Sequence, residues 1–321
     1  MNPSAYCGSV KVLQVLRKRP VIRPEGYVRI TRAALWLLCI IVVSGAAVRL
    51  SGSGLGCSDW PRCNAEQFVD VSTFHGAIEQ VNRLFTGLVA AVVIVAVLAA
   101  RYRIPYRRDL LRMAWGLVLG VAGQVILGGI VVLTDLNPIA NQGHFVLSMF
   151  LVANAFILFK RSQEKGVNIE RQNSNVGVWV VRLVCVCGAM AIFTGTVVTG
   201  SGPHAGDEKA RRLGFEVAST AKVHGASVIV MISLMLVLAG VIHRTRGLAS
   251  LRSALEIVMI VSVLQATVGY VQYFNDIPAL LVGIHIFGAT MFFISLVNVW
   301  LIGHQTFAAR REIVERKSII A

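Results

Sequence analysis

Charge is scarce in this chain. Charged residues make up 15% of its 321 residues and Asp and Glu together number only 16, against 55% hydrophobic residues. With a mean hydropathy of +0.69, the composition excludes an ordinary soluble domain of this length. The N-terminus also lacks a short apolar core followed by a small-residue cleavage site, so the first long apolar stretch is expected to stay in the protein.

What is present is a series of eight apolar stretches, near 31–50, 79–100, 111–134, 141–159, 177–200, 220–242, 254–274 and 280–303. Each is close to the length of about 20 helical residues needed to cross a hydrocarbon core of about 30 Å. The expected fold is an all-α integral membrane protein of eight transmembrane helices. The formal net charge is +15, and its placement matters more than its size. Of the 31 Lys and Arg, 24 lie in the N-terminal segment up to Arg32, in 101–112, 160–182 and 243–253, and in the C-terminal tail. These segments share one side of an eight-helix topology, which the positive-inside rule makes cytoplasmic. Both termini are therefore expected in the cytoplasm, with the protein in the cell membrane. The charge calls for no nucleic acid.

The cysteines divide by the same topology. Cys7 falls in the N-terminal tail and Cys39, Cys185 and Cys187 in spans, where thiols behave as small hydrophobes. Cys57 and Cys63 share the first outer loop, on the oxidising side, and are expected to form a disulfide that braces this loop.

Two stretches repeat. Gln124, Gly128 and His144 recur 141 residues later as Gln265, Gly269 and His285, and Gly45, Val48, Ser51 and Gly52 recur 150 residues later as Gly195, Val198, Ser201 and Gly202. Four helices per repeat return the chain to the same side. Two parallel four-helix halves are therefore expected, 31–160 and 177–304, joined by the polar segment 161–176. The repeat also sets Asn82 of the second helix against His224 of the sixth.

An imidazole in hydrocarbon is costly and usually lines a site or holds a ligand. His224 and His285 start from the same side on different helices, so they could hold a metal porphyrin from opposite faces. Zinc is disfavoured because no further Cys, His or Asp stands at suitable spacing. The competing reading is a packing histidine hydrogen-bonded across the bundle. On the second helix, His75, Glu79, Asn82 and Arg83 fall along one stripe, and Glu79 can pair with Arg83 one turn on. His75 also reads as an interfacial residue, and His204, in a polar outer loop, reads as wet. His243 and His304 are assigned no role.

Taken together, SGSGLGCSDWPRC after the first helix, IEQVNR on the second, and histidines on the fourth, sixth and eighth make the chain resemble the heme A synthase family over roughly residues 30–305. The GSGPHAGD loop and the Asn82–Arg83 pair are similar to the form seen in actinobacterial members. The resemblance implies an oxidoreductase that converts a methyl group of heme O to the formyl group of heme A. It implies heme b on His224 and His285, substrate heme on His144 with Asn82 and Arg83 nearby, and Glu79 as the catalytic carboxylate. Many members carry histidine where this chain has Asn82, so the substrate iron is expected to be five-coordinate or to use water or His75.

Heme O is then the substrate, its farnesyl tail lying in membrane lipid, and the prenyltransferase that makes it is a possible partner. The chain itself is not that prenyltransferase, because no two Asp stand close together. The alternative from another class is a membrane b-type cytochrome carrying electrons between quinol and an outer acceptor. Such a protein would ordinarily complete both histidine pairs, which Asn82 prevents.

Overall fold

The computed structural model describes residues 21–164, 175–245 and 248–307. Among them are eight helices: α1 Pro24–Leu50, α2 Phe74–Tyr102, α3 Arg108–Leu133, α4 Pro138–Gln163, α5 Asn175–Ser201, α6 Val217–His243, α7 Ala249–Phe274 and α8 Ala279–Phe307. All eight are long and apolar enough to cross a membrane, as the sequence predicts. Each is longer than its apolar stretch, because helical hydrogen bonding continues into polar flanking residues after hydrophobicity falls away. Their starts have chemical causes. Pro24 opens α1 with its fixed backbone angle, Thr73 caps α2 by accepting the Gly76 N–H, and Asn137 caps α4 by accepting from Ile139 and Ala140. Part of the expected linker, 165–174, and Cys7 lie outside the described residues.

The helices pack as two groups. α1 lies against α2 and α4, and α3 against α2 and α4; α5 lies against α6 and α8, and α7 against α6 and α8. One buried cluster, including Leu38, Val93, Leu117 and Val152, fills the first group, and another, including Val184, Met235, Val258 and Leu296, fills the second. Small residues such as Ala96, Ala100, Ala114 and Ala155 are buried in the first cluster or beside it and let backbones approach closely. The groups meet where α8 touches α1 and α4 and where α4 touches α5, and Ile192 and Phe293 pack against both clusters.

The connections at one end of the bundle hold one another in place. The Gly54 N–H donates to the Gly206 carbonyl at 2.8 Å, so the α1–α2 and α5–α6 loops touch. The α3–α4 and α7–α8 turns have the same shape. Asp135 and Leu136 take φ of 52° and 59°, and Asp276 and Ile277, 141 residues on, take 58° and 56°. In each turn the second left-handed residue donates its N–H back into the preceding helix, Leu136 to Val131 and Ile277 to Gln272, both at 2.8 Å. These turns set the depth at which α4 and α8 begin, and hence the depth of His144 and His285.

Candidate heme site

His224 and His285 come together. Their ring centroids are 6.4 Å apart and their planes cross at 85°. Two imidazoles on opposite faces of one metal, each at a metal–nitrogen distance of about 2 Å, hold their centroids roughly 6 Å apart. The spacing therefore fits axial ligation of a single iron. On the His224 side, Nδ1 lies 3.1 Å from the Thr194 hydroxyl. That hydroxyl gives its proton to the Met190 or Ala191 carbonyl, so it accepts from Nδ1–H and leaves the Nε2 lone pair for a metal. Nδ1 of His285 is buried without a partner, as is Nδ1 of His144.

Glycine makes room for two of the rings. A Cβ on Gly195 of α5 would stand 3.2 Å from Cε1 of His224, and one on Gly269 of α7 would stand 3.3 Å from Cε1 of His285. His144 faces Gly128 of α3, where a Cβ would stand 3.5 Å from Cε1, an ordinary van der Waals contact. Glutamine fixes the backbone behind two of the rings. Gln265 Nε2 donates to the His285 carbonyl at 2.7 Å, and Gln124 Nε2 to the His144 carbonyl at 3.0 Å. Asn82 occupies the fourth position. Its Oδ1 accepts from the Ser44 hydroxyl at 2.8 Å, where Ser44 stands 150 residues before Thr194.

Glu79 and Arg83 turn to the α1–α2 loop. Glu79 is 6% exposed. One carboxylate oxygen accepts the Cys57 N–H at 2.8 Å and the other accepts from Arg83 at 2.6 and 3.0 Å. Arg83 also donates to the carbonyls of Asp59 and Arg62 and lies over the Trp60 ring, 5.1 Å from its centroid. The loop is closed by the Cys57–Cys63 disulfide. Trp60 in turn lies on α3, where a Cβ on Gly129 would stand 2.6 Å from its Cδ1, beside the glycine that faces His144. Glu79 is thus tied through the disulfide loop and Trp60 to the wall of the His144 site.

His75 pairs through Nδ1 with the Ser53 hydroxyl at 2.8 Å. His204 corrects the expectation of a wet loop residue: it is partly buried, its Nε2 donates to the Ile277 carbonyl at 2.7 Å, and its own carbonyl accepts from Arg49. The loop folds back onto the α7–α8 turn, which a polar composition does not reveal. Sequence reasoning missed Ser44, Thr194 and Trp60. The first two each precede a glycine of the repeat by one residue, a signal that was there to be used.

Comparison with known proteins adds two findings. The family described as cytochrome oxidase assembly protein (COX15-CtaA) matches residues 29–206. Among curated relatives, the heme A synthase of Staphylococcus saprophyticus is 25% identical over 169 residues, 50% of this chain and 55% of the relative. That of Lysinibacillus sphaericus is 24% identical over 165 residues, 50% and 54%, and that of Geobacillus thermodenitrificans 31% over 124 residues, 37% and 38%. The chain thus spans about half the length, or less, of these relatives. The family match ends in the α5–α6 loop, so the reading of His224 and His285 rests on their geometry.

Proposed function

Because this chain belongs to the cytochrome oxidase assembly protein family (COX15-CtaA), we propose that it is a heme A synthase, a membrane oxidoreductase that oxidises a methyl group of heme O to the formyl group of heme A. In this reading 177–304 holds heme b and 31–160 holds the substrate, with 161–176 as the cytoplasmic linker. The protein sits in the cytoplasmic membrane with both termini inside. The observation that carries the reading is the 6.4 Å spacing of the His224 and His285 rings, with Thr194 fixing one of them.

Bound heme supplies the one-electron chemistry that no side chain can perform on a methyl group. The chain's own residues bind and orient. His224 and His285 offer imidazole nitrogens from α6 and α8, held by Thr194 and Gln265. In the first half His144 offers one imidazole, its backbone fixed by Gln124. Asn82 is a poor iron ligand and is occupied by Ser44, so the substrate has a single strong protein ligand. Glu79 is the candidate to take protons from the reacting carbon. Both its oxygens accept N–H donors, the bonding of a carboxylate, and Arg83 balances its charge. The disulfide loop holds this pair in place, and Trp60 shields it from water.

The farnesyl tail of heme O belongs in lipid, which accounts for a membrane enzyme, and a prenyltransferase that makes heme O is the natural supplier. The test is to express the chain in cells that make heme O but no heme A, then extract and separate the pigments. Heme b on the purified protein with heme A in the membranes is expected. Heme b with no heme A overturns the proposal in favour of an electron-carrying cytochrome.

A further inference from the structure

Arg49, in the last turn of α1, reaches out of its own half. Its Nη2 donates to the Thr199 carbonyl of α5 at 2.9 Å and its Nε to the His204 carbonyl at 2.7 Å. Thr199 lies one turn beyond Gly195, the glycine against the His224 ring, so the guanidinium stands about 5–6 Å further along α5 than that imidazole. The repeat places Thr199 at the position of Arg49 itself, so the second half has no arginine of its own there.

Arg212 reaches the adjoining backbone, since Arg49 holds the His204 carbonyl and Arg212 that of Pro203. It donates to the Ala210 carbonyl at 2.9 Å and the Pro203 carbonyl at 2.5 Å. Among the described residues neither guanidinium forms an ion pair with a carboxylate. Asp207, in the same loop, accepts the Lys209 N–H instead. A third donor is present: Nε2 of Gln142 on α4 is buried without a partner, 3.5 Å from where a Cβ on Gly200 would stand. Capping the end of α5 accounts for the bond from Arg49 to Thr199. It accounts for neither the second cation nor the unpartnered amide. Two partly buried like charges, with an unpartnered amide against the residue of α5 next to Thr199, select an anion, and planar guanidinium favours a carboxylate.

We propose that Arg49, supported by Arg212 and Gln142, binds a propionate carboxylate of the heme held by His224 and His285, so that an arginine of the first half anchors the prosthetic group of the second. This rests on the heme reading above. An acidic lipid headgroup offers similar chemistry from another source, and the test separates the two.

The full-length protein, made without heme, is reconstituted in nanodiscs with heme b or with its dimethyl ester, and release to excess apomyoglobin is timed. In the wild type the ester should leave about tenfold or more faster, the scale of one lost charge-assisted hydrogen bond. In Arg49→Gln heme b should leave at nearly the ester's rate, with the ratio falling below about twofold, because the two changes remove one interaction. Arg212→Gln, in the loop, should reduce the ratio in the same direction and serves if the first variant does not accumulate. Lys209→Gln removes an exposed cation from the same loop but no donor of the site and should keep the wild-type ratio. An unchanged ratio in both arginine variants overturns the proposal, as does an effect of Arg49 seen only with acidic lipid. A His224→Ala variant whose heme spectrum equals that of the wild type overturns the heme reading beneath it, a different result.

Discussion

The Ser44 hydroxyl donates to Oδ1 of Asn82 at 2.8 Å, and 150 residues later the hydroxyl of Thr194 meets Nδ1 of His224 at 3.1 Å. One inter-helix contact is thus built twice, with an imidazole at the end of only one copy. Asn82→His should give Ser44 an imidazole to orient as Thr194 does. On binding the substrate heme, this variant is expected to add a second low-spin signal in electron paramagnetic resonance and to keep forming heme A, as family members with histidine at this position do. A spectrum identical to wild type would mean that position 82 does not face the substrate iron.

Thr194→Val keeps the shape of the side chain and removes the oxygen that holds His224. Outer-shell partners of metal-bound histidine typically contribute about 10–100-fold in affinity, so heme b should be released about tenfold or more faster. Equal release rates would leave Thr194 a packing residue.

Much of this fold was legible in the sequence, and the reason is physical. A bilayer demands about 20 apolar residues per crossing, so eight helices and their order follow from hydrophobicity alone. The repeat brought Gln124, Gly128 and His144 into register with Gln265, Gly269 and His285, and the structure gives both sets the same contacts. The direction in which Glu79 and Arg83 turn was not legible. Helical spacing puts them on the stripe with Asn82, but the choice between heme and loop depends on where the Cys57 N–H and the carbonyls of Asp59 and Arg62 lie. Loop backbone positions carry no periodicity. The same holds for His204, whose partner Ile277 is 73 residues away in a left-handed turn.

Glu79→Gln retains the shape of the side chain and removes its charge and its capacity to take a proton. The variant should keep heme b and still bind heme O, yet form no heme A, measured by pigment extraction from membranes. Wild-type heme A would reduce Glu79 to a structural partner of Arg83 and the Cys57 N–H.

The Cys57–Cys63 disulfide closes a short loop, worth about 2 kcal/mol in the chain-entropy model. Replacing both cysteines with serine should therefore lower thermal stability only modestly. Heme A formation should fall more steeply, because the loop holds Glu79, Arg83 and Trp60 in place. Full activity with reduced stability would show that the bridge serves the fold alone.

The central claim is that His224 and His285 hold one heme b between them. Low-temperature optical and electron paramagnetic resonance spectra of the purified wild type, His224→Ala and His285→Ala test it most directly. The account predicts a low-spin bis-imidazole heme in the wild type and its loss in each single variant, with the protein still inserted in the membrane. A low-spin signal that survives in both variants would contradict it.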